Sequence, residues 1–338
     1  MKLYGSFDLH STNNVGTLID EQDRLIFQKR LSNDIGPILK ELEPYREFIT
    51  GFVVESTYNW YWLVDGLKAA GYKLYLANTA AIQQYKGLKH TNDNTDGRWL
   101  AKLLRLEILP VGYIYPKGER GIRDLLRKRG YLVHQHTSHI NSVKTTLSRN
   151  TGHTLSANKV KKLNEGGVEH LLGTGLEAMA VKSSLAVMAC LEEQIGKIEE
   201  ELKGWLHLRA SYRNLNSVPG VGDILGMTIM LETGDIGRFP TVGDYSSYCR
   251  CVKSDKVSNG KRKGKGNRKN GNQYLSWAFH EAATFAVRYN DRFRRFHQRK
   301  ASKTHWRVAD NAVANKLTKA SYYIMRDGVV FDIDMAFR

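Results

Sequence analysis

Leu3-Tyr4-Gly5-Ser6-Phe7-Asp8-Leu9-His10-Ser11 opens the chain as a strand interrupted by a single acid. Alternating apolar and small residues, bounded by turn formers, predict a half-buried strand. Two further runs of this kind follow, Val15 to Ile19 and Arg24 to Gln28, with turn residues between them. Asp8 therefore falls in mid-strand between Phe7 and Leu9, where a charge without a partner is strongly disfavoured.

Outward from that strand, residues 33 to 45 read as a helix and Phe48 to Val54 as a short apolar, β-rich run that ends at Glu55. Tyr58 to Ala70 reads as a helix carrying Trp60 and Leu63, Lys73 to Ala77 as a strand, and Asp96 to Leu106 as a helix with Leu100, Leu103 and Leu104 on one side. Three meandering strands followed by alternating helices and strands predict an α/β sheet whose first strands are antiparallel.

The acids fall at telling places on this plan. Asp93 and Asp96 lie three apart at the start of a helix and share a face, where the helix dipole favours negative charge. Each acid taken alone reads as a surface or capping residue. A first-strand Asp, a strand-end Glu and an Asp-x-x-Asp pair together are what a ribonuclease-H-like sheet supplies to divalent cations. Two Mg²⁺ ions need hard oxygen ligands from different elements, and can then clamp the attacking and leaving oxygens of a phosphodiester.

Charge points to the partner. Fifty-one Lys and Arg against thirty-four Asp and Glu leave a net charge of +17, which steers polyanions toward the surface. The excess is uneven, with nine Lys or Arg and one acid, Asp255, in residues 250 to 272. Nucleic acid is the expected partner, an anionic membrane surface a distant second. No stretch approaches the roughly 18 apolar residues of a membrane span, and Asp8, Asp20, Glu21 and Asp23 interrupt any leader-like run. Cys190, Cys249 and Cys251 build no disulfide framework and suit a reducing cytoplasm. No His/Cys pair at zinc spacing partners Cys249-x-Cys251.

Arg120 to Arg149 is helical in pattern, with Arg123, Arg127 and Arg129 off its apolar side. Two readings stand there, a solvated polar face and a helix lying along a phosphate backbone. Leu185, Met188, Leu191, Ile195, Ile198, Leu202 and Trp205 recur at spacings of 3 and 4, close to a coiled-coil seam. That seam fits core packing within a bundle or a two-helix dimer contact. Ser217-Val218-Pro219-Gly220-Val221-Gly222 resembles a helix-hairpin-helix turn, whose backbone N–H groups can meet a phosphate. Residues 253 to 272 predict a loop or hairpin, and Tyr289 to Arg307 is dense in arginine and aromatics.

Several of these segments match one family. Phe7-Asp8-Leu9-His10-Ser11, Val54-Glu55-Ser56-Thr57 and Lys89-His90-Thr91-Asn92-Asp93-Asn94-Thr95-Asp96 are joined by Val218-Pro219-Gly220-Val221-Gly222, Gly237-Arg238-Phe239 and Tyr248-Cys249-Arg250-Cys251. Ser258-Asn259-Gly260-Lys261, Asn267-Arg268-Lys269-Asn270-Gly271-Asn272 and Tyr274-Leu275-Ser276-Trp277-Ala278 complete the set. The chain resembles the DEDD-type transposases of bacterial insertion sequences of group 110, in its 1111 branch. Gly97 departs from the family, which usually has Ala there.

The resemblance implies an α/β plus α protein in three parts. These are a RuvC/ribonuclease-H-like domain over residues 1–150, a helical coiled-coil connector over 151–212 and a mainly helical C-terminal transposase domain over 213–338. It implies Asp8, Glu55, Asp93 and Asp96 as Mg²⁺ ligands, and Ser258 as a nucleophile that forms a phosphoserine link to DNA. It further implies a bridge RNA that pairs with donor and target DNA, a dimer or tetramer that brings one protomer's serine to another's carboxylates, and a place in the bacterial cytoplasm, on the nucleoid when active. Ser258 has no adjacent general base, so metal or carboxylate help must come from elsewhere. Lys256, Lys261, Arg262, Lys263 and Lys265 are candidates to hold the scissile phosphate. Arg268, Lys269, Arg292, Arg294 and Arg295, with Arg123, Arg127 and Arg129, are further nucleic-acid candidates. Choosing sites by base pairing would leave the protein only shape and backbone to recognise. The rival reading is a Mg²⁺-dependent, structure-selective nuclease or junction resolvase that uses water.

Overall fold

The computed structural model describes residues 1–79, 81–82, 93–206, 210–252, 255–265 and 270–337. The chain divides into two compact units, Met1–Lys117 with Ser254–Asn270, and Gly118–Lys253 with Gly271–Arg338.

In the first unit, β1 (Leu3–Leu9), β2 (Asn13–Ile19) and β3 (Leu25–Ser32) form the antiparallel meander read from the sequence. Helix α1 (Ile35–Leu42) starts where the Asp34 carboxylate accepts from the Gly36 N–H at 3.0 Å, an N-cap. The chain then enters β4 (Ile49–Glu55), parallel to β1, and crosses by α2 (Tyr61–Ala69) to β5 (Leu74–Ala77), parallel to β4. Helix α3 (Asp93–Arg105) follows, and β6 (Val111–Gly112) closes the edge antiparallel to β5. The order β3-β2-β1-β4-β5-β6 is that of a ribonuclease-H-like sheet with a short extra edge. Central β1 is buried on both faces, and Phe7 and Phe52 pack with Leu63, Val64 and Leu67 of α2 in the main core.

The second unit is helical. Helices α4 (Lys117–Thr151) and α7 (Leu176–Leu206) pair antiparallel through the predicted seam. Arg129 meets Glu199 and His136 meets Glu192, so seven residues forward on one helix are matched by seven back on the other. Leu185 and Met188 pack with Ile140, Val143 and Leu147, while Ile198 and Leu202 join Ile122 and Leu126. Most of the seam is thus consumed inside the chain, which decides between its two readings in favour of core packing. Trp205 alone stays largely exposed, at 57%. Short helices α5 (Ala157–Lys161) and α6 (Glu165–Leu172), N-capped by Ser156 and Asn164, pack on the far end through Val160 and Val168.

Helices α8 (Ala210–Leu215), α9 (Asp223–Thr233) and α10 (Val242–Tyr248) lead to the hairpin β7 (Asp255–Ser258) and β8 (Lys261–Lys265). Helices α11 (Gln273–Tyr289), α12 (Asp291–Ala301), α13 (Trp306–Asp327) and α14 (Ile333–Ala336) finish the chain. The arginine-rich segment forms α12, and α13 and α14 follow it. Helix α9 is buried from Leu225 to Thr233, mostly apolar residues with Glu232 the one charged side chain among them. Beside it, Tyr245, Phe279, Phe293 and Leu317 anchor one core. The Pro219-Gly220 turn serves this packing. Gly220 has φ +85° and an added Cβ would stand 2.2 Å from the Ala282 carbonyl oxygen of α11. Among the described residues no helix is long and apolar enough to cross a membrane.

Candidate carboxylate site

Parallel pairing in register gathers the acids. Phe7 of β1 pairs with Val54 of β4, so the next residue on each strand is a carboxylate, Asp8 and Glu55. Asp8 is buried and Glu55 half-buried at the strand end. Burial, a hydrogen bond to Asp8 and the charges of Asp8 and Asp96 push the Glu55 carboxyl up from 4.5 to about 7, partly offset by His10. Three acids from β1, β4 and α3 therefore share one electrostatic environment.

Two fastenings hold α3 in place. Near its start, the buried Ser6 hydroxyl donates to the Gly97 carbonyl at 2.6 Å. Gly97 lets the helix lie that close, since a Cβ there would stand 2.8 Å from Thr17 Oγ1. At its end, Arg105 bonds Asp23 at 2.7 and 3.0 Å and Lys102 reaches the same carboxylate at 3.0 Å. Burial raises the Asp23 carboxyl, but those two cations outweigh it and hold it below the usual range. Asp96 is thus carried on a helix pinned at both ends to the antiparallel strands.

Sequence reading missed the residues that finish the site. His10 Nε2 lies 3.5 Å from Asp8 Oδ2, and the His10 carbonyl accepts from Asn33 at 3.0 Å and Asn59 at 2.9 Å. The loop after β1 is thereby tied to the loop after β4. Only the position of His10 two residues beyond Asp8 could have signalled it. Ser6 and Thr17 gave no signal, because small polar residues are ordinary in strands.

Asp93 opens α3, three residues before Asp96, but its side chain lies outside the described set, as do residues 83–92 of the matching motif. Among the described residues no three Asp, Glu, His or Cys side chains are already gathered as a metal-binding group. The donor chemistry nonetheless fits a divalent cation. The site offers hard carboxylate oxygens whose mutual repulsion helps to raise Glu55, and a cation would relieve that repulsion.

Ser258 ends β7 and pairs with Lys261 across the turn Asn259-Gly260, where φ is +50° and +68°. An Asn-Gly pair with both φ positive is the favoured two-residue hairpin turn. The side chains of Ser258, Lys256, Arg262 and Lys265 lie outside the described set, and so do Arg268 and Lys269 altogether; Lys261 and Lys263 are exposed. The residues before and after this segment are bonded to each other. The Asn272 N–H donates to the Tyr248 carbonyl at 2.6 Å and Arg250 Nη2 to the Gly271 carbonyl at 3.1 Å. A Cβ on Gly271, at φ +81°, would meet the Tyr248 oxygen at 2.5 Å.

The α4 arginines are engaged internally. Arg123 is buried beside Asp124, and Arg129 bonds Glu199. Arg127 makes two bonds to buried Glu232, at 2.6 and 2.8 Å, and stacks on Tyr274 at 4.5 Å. Burial opposes the Arg127 charge, yet the Glu232 bonds prevail and hold its pKa above the ordinary value. Asn272 completes the set by donating to Glu232 at 2.7 Å. On α12, Arg292 pairs with Asp334 and Arg294 bonds Asp291 and the last carbonyls of α11, while Arg295 is exposed.

Fold and site together define a ribonuclease-H-like unit with an acidic corner, and a separate helical unit. The DEDD transposase model of the IS110 group matches residues 6–181, more than half of the 338 residues, and the Transposase IS116/IS110/IS902 family model matches 212–298. The chain belongs to the IS110 family of transposases. It is 26% identical over 165 residues to an uncharacterized 43.6 kDa protein of insertion element IS110 from Streptomyces coelicolor. That match spans 48% of this chain and 40% of the relative.

Proposed function

We propose that the chain is an RNA-guided DNA recombinase that cuts and rejoins donor and target DNA through a phosphoserine intermediate. The observation that carries this reading is the corner shared by Asp8, Glu55 and Asp96, with Glu55 raised to about 7. Asp8, Glu55 and Asp96, with Asp93 in the same helical turn as Asp96, would hold Mg²⁺, which when bound polarises phosphoryl oxygens and offsets charge developing on them.

The chain's own residues supply the rest. Ser258 Oγ bonds to phosphorus as the bond from phosphorus to the leaving sugar oxygen breaks. The serine proton leaves to a base and the sugar oxygen takes one up, so the phosphodiester count is conserved and rejoining needs no outside energy. Lys261 and Lys263, exposed on β8, flank the nucleophile with positive charge. The resemblance supports a bridge RNA as the source of sequence choice and a homo-oligomer in which one protomer's serine meets another's acids.

The test incubates cognate DNA with the chain, Mg²⁺ and the element's RNA. A protein-linked strand, absent with Ser258→Ala and with Asp8→Ala, supports the recombinase. Free cleaved ends without an adduct, persisting in Ser258→Ala, would assign the chain to water-using nucleases instead.

A further inference from the structure

From Leu125 to Asn164 the chain runs forty residues without an Asp or Glu, yet carries eight Lys or Arg. This stretch forms most of α4 and all of α5. Two of its cations face inward, where Arg127 and Arg129 bond Glu232 and Glu199. Four others do not. Arg149, Lys159, Lys161 and Lys162 are exposed, and none is paired with a carboxylate among the described residues.

The two elements that carry these four pack against each other. Val160 of α5 packs in the same cluster as Val143 and Leu147 of α4, and Thr154 in the connecting loop donates to Ser148 at 3.3 Å. The outer side of α4 leading to them is uncharged and polar, with Ser138, Asn141, Ser142 and Thr145 exposed. Neighbouring carboxylates are engaged elsewhere: Glu165 and Glu169 with Lys182, and Glu192 with His136. Glu177, on the opening turn of α7, is the exception. The partner helix shows what an ordinary solvated face looks like in this protein, because α7 mixes six Glu with three Lys.

We infer that the outer face of the second half of α4, continued by α5, binds the phosphate backbone of duplex DNA. Lysine, arginine and short hydroxyl or amide side chains are the groups that contact phosphate and sugar without reading sequence. The helical part from Ser138 to Arg149 is about 16 Å long, enough for several phosphates of one strand. An acidic protein partner would need the four cations but not the uncharged polar run beside them. The inference moves the backbone contact of α4 away from Arg123, Arg127 and Arg129. It rests on DNA being the substrate, as proposed above.

The experiment measures binding of the full chain to a mixed-sequence DNA duplex between about 50 and 200 mM salt. The variant carries Arg149→Gln, Lys159→Gln, Lys161→Gln and Lys162→Gln. Each lost phosphate contact removes about 0.9 from the slope of log K against log salt, so the slope should become shallower by about 2 to 4, with the thermal midpoint unchanged. A control with Lys300→Gln and Lys303→Gln, both exposed on and after α12, should keep the full slope. An unchanged slope in the fourfold variant overturns the inference, as does an equal drop in the control or a loss seen only with duplex RNA. Failure of the unaltered chain to bind DNA duplex at all would sink the recombinase reading itself.

Discussion

Asp8 and Glu55 stand side by side at the ends of two parallel strands, and burial beside Asp8 holds the Glu55 carboxyl at about 7. The fold therefore keeps Glu55 mostly protonated only below about pH 7 when no cation is present. A carboxyl whose pKa is raised by folding contributes its stability below the unfolded value, here 4.5, and loses it as pH climbs through about 7. The metal-free protein should show a thermal midpoint that falls over that window, and Glu55→Gln should flatten the decline. A midpoint that holds constant across it in the unaltered protein would contradict the arrangement.

Gly97→Ala pits two effects against each other. Alanine favours the helix by about 1 kcal/mol over glycine. The new Cβ, however, would press on Thr17 Oγ1 at 2.8 Å and lift the turn that carries Asp96. Misplacement of a reacting group by about 1 Å costs on the order of 100-fold in rate, so the clash should win. On the proposed function, Mg²⁺-dependent strand breakage should drop at least about tenfold by that measure, and Thr17→Ala in the same protein should restore it. Full activity in the single variant would show that Thr17 yields freely.

Removing Arg127 should cost more than removing an exposed arginine. Glu232 is only 3% exposed and would keep just the Asn272 amide. Breaking one side of a buried pair costs about 3 to 5 kcal/mol. Arg127→Ala should lower stability by roughly that amount in chemical denaturation. The double variant Arg127→Met with Glu232→Leu should recover most of it. If Arg127→Ala melted like Arg295→Ala, the pair would be of little consequence.

The three cysteines should separate by reactivity. Cys190 is exposed, whereas Cys249 and Cys251 are buried. Burial pushes the Cys249 thiol well up, and Cys251 to about 11. Because the thiolate is the reactive form, an alkylating reagent should mark Cys190 alone in the native protein. All three should be marked after denaturation, as read by mass spectrometry.

Much of the first unit was legible because alternation and turn residues are local signals. The meander, the strand-end place of Glu55 and the helix bearing Asp96 all follow from them. What holds the site together was not legible. The Ser6 bond to Gly97 spans ninety-one residues, and no local pattern announces such a contact. Strand β6 has only two residues, too few for any period to show. The seam on α7 was readable as a seam, but heptad spacing is the same whether the partner is α4 or a second chain. Its owner emerged only from the pairing of Arg129 with Glu199. The α4 arginines misled for a related reason: a guanidinium reads as a surface charge until its carboxylate, here a hundred residues away in Glu232, is located.

The backbone bond from Asn272 to Tyr248 closes a loop in which Cys249 and Cys251 stay buried in the helical core while Val252 and Asn270 are exposed. A segment attached in that manner can be exchanged without re-threading the helices around it. Replacing residues 252–270 with a short glycine bridge should leave the helical core, Cys249 and Cys251 included, folded and, on the proposed function, give a catalytically silent scaffold. Transplanting a relative's loop onto the same two ends would be a route to hybrid enzymes.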